Sequence, residues 1–175
     1  MVLDAARRGP TAGNTWSIDL VVLDTPAAVS GYWDVTLSAP DARRVFPWPG
    51  LLLAPVLVVV CTDPDAYVQR YAQPDKARSG LGVSRDDWPV PYWWVDAGAA
   101  VMAMLLAATA AGLGSLLFGV FEHEADVATH LAIPAGRHIV GTVALGYPAA
   151  LQTRASGSLV RRRPELSRVV HRGRW

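Results

Sequence analysis

The side chains of this sequence that could do chemistry fall into three groups. The first is a loop, Gly9-Pro10-Thr11-Ala12-Gly13-Asn14-Thr15. Its Thr hydroxyl, Asn amide and exposed backbone N–H groups can hydrogen-bond a planar heterocycle or a sugar chain. An ordinary turn has the same composition. The second is Arg161-Arg162-Arg163-Pro164, a compact cationic cluster fixed by a proline. Guanidinium forks suit a terminal phosphate, and the bland reading is a solvated basic tail or a loose nucleic-acid patch. The third is the aromatic group Trp88, Tyr92, Trp93 and Trp94. It either lines a flat pocket or belongs to a core or interface.

Other catalytic signatures fail on spacing. Gly112-Leu113-Gly114 lacks the third glycine of a dinucleotide fingerprint, because Leu117 stands there. No serine has glycine two residues to each side, so there is no nucleophile elbow, and no phosphate loop carries a lysine. His123-Glu124 begins like a zinc helix, but Val127 takes the place of the second histidine. His123 and His130 are read as surface histidines, and no metal is expected. Asp86-Asp87 and the pair Asp63 and Asp65 sit in polar stretches and are read as solvated. Hydrolytic chemistry is unsupported, and no catalytic side chain is assigned.

The elements that must hold these groups are organised around one stretch. No charged residue occurs between Asp96 and Glu122. About half of that run is Ala and Gly, and Gly112 interrupts it, which argues against a membrane span. It reads as a helix over 92–111 followed by a strand over 115–121, with Asp96 placed to favour the helix dipole. The helix is apolar on every side and is expected to be buried all round, in part by a second copy of the chain.

Before it, 2–8 reads as a helix and 18–23 as a strand. Thr25-Pro26 starts a helix running to about Leu37, with Thr as cap and Pro at the first position. Residues 40–50 read as irregular. The β-branched run 54–61 reads as a strand covered on both faces. A short helix over 63–71 follows, then a loop over 73–91 of a length that is often functional or mobile. After it come a helix over 123–131, a strand over 138–145 and an extended tail from Leu151. Alternating strands and helices predict an α+β or α/β sandwich around one sheet.

Length and composition fit this reading. The chain has 175 residues, enough for one domain, and a hydrophobic content of 51% supplies a core. A net charge of +1 gives no global attraction to nucleic acid, although seven of the sixteen basic residues lie from Arg154 onward. The single cysteine, Cys61, sits in an apolar run and is read as a core thiol in a reducing cytoplasm.

Taken in order, the segments AARRGPTAGNTW, APVLVVV, DAGAAVMAMLLAATAAGLGS, LFGVF, GTVALGYPA and RRRPELSRVVHRGRW resemble the nitroreductase-like flavoproteins over nearly the whole chain. The resemblance implies an α+β sandwich, a central mixed sheet flanked by helices, with the long buried helix at a homodimer interface. It implies one domain over 1–175, whose tail over 151–175 packs on the partner subunit. It also implies FMN in two interfacial clefts. Thr11, Ala12, Gly13 and Asn14 would touch the flavin, Leu117 and Gly119 would lie beside its ring system, and Arg162 with Arg161 or Arg163 would hold its phosphate. Trp16, Tyr92 and Trp93 would face the substrate.

Two departures from the family pattern carry weight. A glutamine common two positions after the Asn is here Trp16. An additional N-terminal helix with phosphate-binding Arg and Ser lies outside this sequence, which predicts looser FMN. The expected function is an FMN-dependent, NAD(P)H-consuming oxidoreductase acting on nitroaromatic, quinone or related small acceptors, without nucleic acid or membrane partners. The alternative is a storage or binding module for flavin or deazaflavin on the same fold.

Overall fold

The computed structural model describes residues 1–148 and 161–175. In chain order the elements are α1 (Val2–Arg7), β1 (Ile18–Leu23), α2 (Pro26–Thr36), α3 (Ala42–Val45), β2 (Val56–Thr62), α4 (Pro64–Tyr71), α5 (Tyr92–Ala110), β3 (Gly114–Phe118), α6 (Glu124–His130) and β4 (His138–Gly146). The strands form one sheet in the order β1-β2-β4-β3. All three pairings are antiparallel, so among the described residues the expected mixed sheet is corrected to an antiparallel one.

Strand β2 explains its own sequence. Leu57, Val59 and Cys61 point into a core made with Val29, Tyr32 and Trp33 of α2 and Val127 of α6. Val58 and Val60 point the other way, onto Ala100, Val101, Met104 and Ala108 of α5 and Ala6 of α1. Both faces are covered, so alternation of polar and apolar residues would be penalised and the run is continuously apolar. A bulge at Val60/Cys61, opposite Gly141 and Ile139, leaves Val140 as the extra residue of β4. The Cys61 thiol is 1% exposed, and burial pushes its pKa up to about 11, which keeps it a packing group rather than a nucleophile.

Helix starts follow local chemistry. The Thr25 hydroxyl accepts from the Ala28 N–H with Pro26 at the first position, and the Asp63 carboxylate accepts from the Asp65 N–H ahead of Pro64. Residues 40–50 contain the short α3, and β3 ends at Phe118, earlier than the apolar pattern suggests. Phe121 already sits in the left-handed region at φ 43°, which ends extended pairing.

Helix α5 has two unlike sides. Its length and hydropathy suffice for a membrane span, yet one side of it packs on the sheet. Within one chain it is buried on that side only. Val95, Met102 and Leu106 are 50%, 54% and 63% exposed and form an apolar stripe at helical spacing on the opposite side. The tail from Arg161 to Trp175 is exposed throughout, with one short turn at Leu166–Arg168. The part of the predicted tail over 149–160 lies outside the described residues.

Candidate functional site

The Gly9–Thr15 loop joins α1 to β1 and borders a cleft of about 630 Å³. Its walls include Arg7, Arg8, Thr11, Asn14, Trp16 and Asp96. That volume lies within the roughly 300–1,000 Å³ typical of small-molecule sites. At the rim, Arg8 and Arg7 bond Asp4 at 2.6 and 2.5 Å, and these bonds hold the Asp4 carboxyl below its ordinary pKa. Trp16 is 88% exposed and offers an open indole face beside the cleft.

The loop's backbone is used differently from the expectation. The Ala12 N–H donates to Asp96 Oδ2 at 2.7 Å, the Asn14 N–H to the Thr11 carbonyl, and the Thr15 N–H to the Ala12 carbonyl. These three donors are therefore consumed within the protein. The side chains of Thr11 and Asn14 have no partner among the described residues, and they are what the loop can offer a ligand. Gly13 and Asn14 both adopt left-handed backbone, at φ 64° and 55°. Glycine and asparagine are the residues that tolerate this conformation, which explains the Gly-Asn pair.

Three side chains that were not among the expected site residues hold this turn in place. Asp96 lies on the second turn of α5, is 6% exposed, and accepts from Ala12 and from the Tyr67 hydroxyl, each at 2.7 Å. Its expected contribution to the helix dipole is thus replaced by a tertiary bond. Burial raises the Tyr67 pKa far above its ordinary value, which keeps the phenol a donor. Arg70 donates from Nε to the Gly13 carbonyl at 2.8 Å and pairs with Asp75 at 2.7 Å. A signal for Asp96 was present: one carboxyl inside a long apolar run must find donors or stay exposed.

The other expected site residues are dispersed in a single chain. Leu117, on β3, pairs with Val143 of β4 and is 42% exposed, and Gly119 follows two residues later under the Phe121 ring. The loop precedes β1, and β1 and β3 are opposite edges of the sheet. Three strand spacings separate them, roughly 14 Å. Arg161, Arg162 and Arg163 are exposed and make no ion pair among the described residues. Tyr92 is 41% exposed against Trp88, whereas Trp93 is buried with Tyr67 and Trp88, beneath the loop rather than on an open surface. The long 73–91 loop is pinned: Trp88 Nε1 donates to the Leu81 carbonyl, Arg85 pairs with Asp65, and Ser84 and Asp87 form a capping box.

The same fold occurs in solved proteins. A nitroreductase family protein from Clostridium difficile is 21% identical, with a TM-score of 0.65 over 99% of this chain and 84% of that one. An FMN-dependent nitroreductase from the same species is 17% identical, with a TM-score of 0.64 over 99% and 85%. The NADPH:FMN oxidoreductase of Vibrio harveyi, solved with NAD+, is 17% identical, with a TM-score of 0.64 over 99% and 66%. No curated protein matches the sequence. The family profile is decisive, since it matches residues 1–147: the chain belongs to the nitroreductase family, a family of oxidoreductases.

Proposed function

We propose that this chain is an FMN-dependent oxidoreductase that takes electrons from NAD(P)H and passes them to a nitroaromatic, quinone or related small acceptor. The observation that supports this most is the cleft beside the Gly9–Thr15 loop, into whose walls Thr11 and Asn14 bring unpartnered hydrogen-bonding side chains. A hydroxyl and a carboxamide can both donate and accept, which suits the mixed donor and acceptor edge of a flavin. When bound, the flavin supplies the hydride chemistry. The chain's own groups bind and orient: Thr11 and Asn14 at the ring edge, Trp16 as a stacking face, and Arg162 with Arg161 or Arg163 at the phosphate. No acid or base from the protein is needed for hydride transfer.

In this reading a homodimer completes the site. Leu117 and Gly119 of one subunit meet the loop of the other, because a single chain holds them on opposite sheet edges. The apolar stripe Val95, Met102 and Leu106 supplies the mating surface.

The visible spectrum tests the proposal. A yellow protein bleached by NAD(P)H is the expected result. A yellow protein that NAD(P)H leaves unbleached supports flavin storage instead, and a colourless protein that gains nothing with added FMN ends both readings. Arg162→Ala is expected to weaken FMN by about 1.5–3 kcal/mol, the worth of a charge-assisted bond. Riboflavin, without phosphate, is expected to bind parent and variant alike. Unchanged FMN affinity would return Arg162 to the solvated tail.

A further inference from the structure

Asp96 is the single charged residue of α5 and lies inside the molecule at 6% exposure. A carboxyl in that position is costly unless donors surround it. Its Oδ2 accepts twice, from the Ala12 N–H and from the Tyr67 hydroxyl, and Tyr67 in turn accepts from the Ser17 hydroxyl at 3.1 Å. One turn further along α4, Arg70 bonds the Gly13 carbonyl, and its guanidinium is itself fixed by Asp75 and Gln73. The Tyr71 ring closes over Gly13 so tightly that a Cβ there would lie 2.7 Å from Cε2. The peptide run from Ala12 to Gly13 is thus held at its N–H by α5 and at its carbonyl by α4. What it holds is the pair of left-handed residues, Gly13 and Asn14, that the chain would not adopt unaided.

We propose that Asp96 is a positioning residue of the flavin-binding loop: by engaging the Ala12 N–H and Tyr67, it fixes the Gly13–Asn14 turn that presents Thr11 and Asn14 to the ring of the flavin. Arg70 supports the same turn from the other side. This rests on the flavin reading above. In this role Asp96 acts through Ala12, since its carboxylate is engaged by the Ala12 N–H and the Tyr67 hydroxyl. Its effect therefore concerns the ring end of the cofactor and not the phosphate end.

The experiment uses the full chain and Asp96→Asn, which keeps the volume and one acceptor but removes the charge. Ala12 amide exchange without ligand is expected to quicken, and riboflavin and FMN are both expected to bind about tenfold more weakly, the scale of one charge-assisted bond. Equal loss for the two ligands is the signature of the ring end. A folded variant with a lower melting temperature but unchanged riboflavin affinity would overturn the proposal and leave Asp96 a stabilising residue only. Should Asp96→Asn not fold, Tyr67→Phe removes one of the two donors and is expected to move the same quantities in the same direction. No movement there overturns the proposal equally. A parent protein that binds neither riboflavin nor FMN would sink the flavin reading itself, whereas a parent that binds with unaltered variants sinks the positioning role alone.

Discussion

Met104→Asp is expected to yield no folded protein, and Leu106→Asp, on the opposite side of the same helix, to yield folded protein that no longer pairs. Met104 is 0% exposed and packs with Val58, Val60 and Val143 of the sheet and Ala6 of α1. Losing its burial costs about 2–5 kcal/mol, and placing a carboxyl in the same apolar space adds several more. Together these approach the whole stability of a domain, about 5–15 kcal/mol. Leu106 is 63% exposed, and a surface change of that kind alters a lone chain by roughly 0.5 kcal/mol or less. Circular dichroism reports folding and light scattering reports mass. Parent protein that stays monomeric at micromolar concentration, or a Leu106→Asp variant that pairs as the parent does, would remove the stripe as an interface. Ala108, like Met104, is fully buried. Both face the chain's own sheet, so the test belongs at Met102 and Leu106.

The second large effect is expected at Gly82→Ala. A Cβ at Gly82 would lie 2.4 Å from the Ala72 nitrogen and 2.5 Å from its Cα, at the end of α4. Both are backbone atoms and cannot turn aside, so the loop must lift. Its neighbour Leu81 provides the carbonyl that receives the Trp88 indole N–H, and Trp88 packs on Tyr67 and Tyr71. Lifting the loop therefore loosens the residues that support the cleft. The expected cost is about 3 kcal/mol, or roughly 6–12 °C in melting temperature for a chain of this size. Faster limited proteolysis within 73–91 should accompany it. An unchanged melting temperature would show that the loop yields without cost.

The legible parts of the sequence were those in which one local cause decides. Thr25-Pro26 caps a helix by itself, and the run Leu57–Cys61 announces two covered faces because each successive residue has its own core. The Gly9–Thr15 loop was legible as a turn. What it offers was not, because the fate of the Ala12 N–H depends on Asp96, 84 positions away. The same limit applies to α5. An apolar circumference does not say which half the chain covers with its own sheet, since both halves carry the same kinds of residue. Gly82 carried no local mark at all, because its need for glycine comes from a helix end ten residues earlier in the chain.

The separation of the loop from β3 across the sheet has a genetic consequence under the shared-site proposal. Two defective versions of the chain, one broken at Asn14 and the other at Gly119, would each be inert alone. In random mixed pairs one of the two clefts would draw its loop from one version and its β3 edge from the other, and would be whole. Equal mixing would restore about a quarter of all sites, the fraction set by two-fold symmetry. Two broken alleles would then complement each other within one cell, while two lesions at the same edge would not.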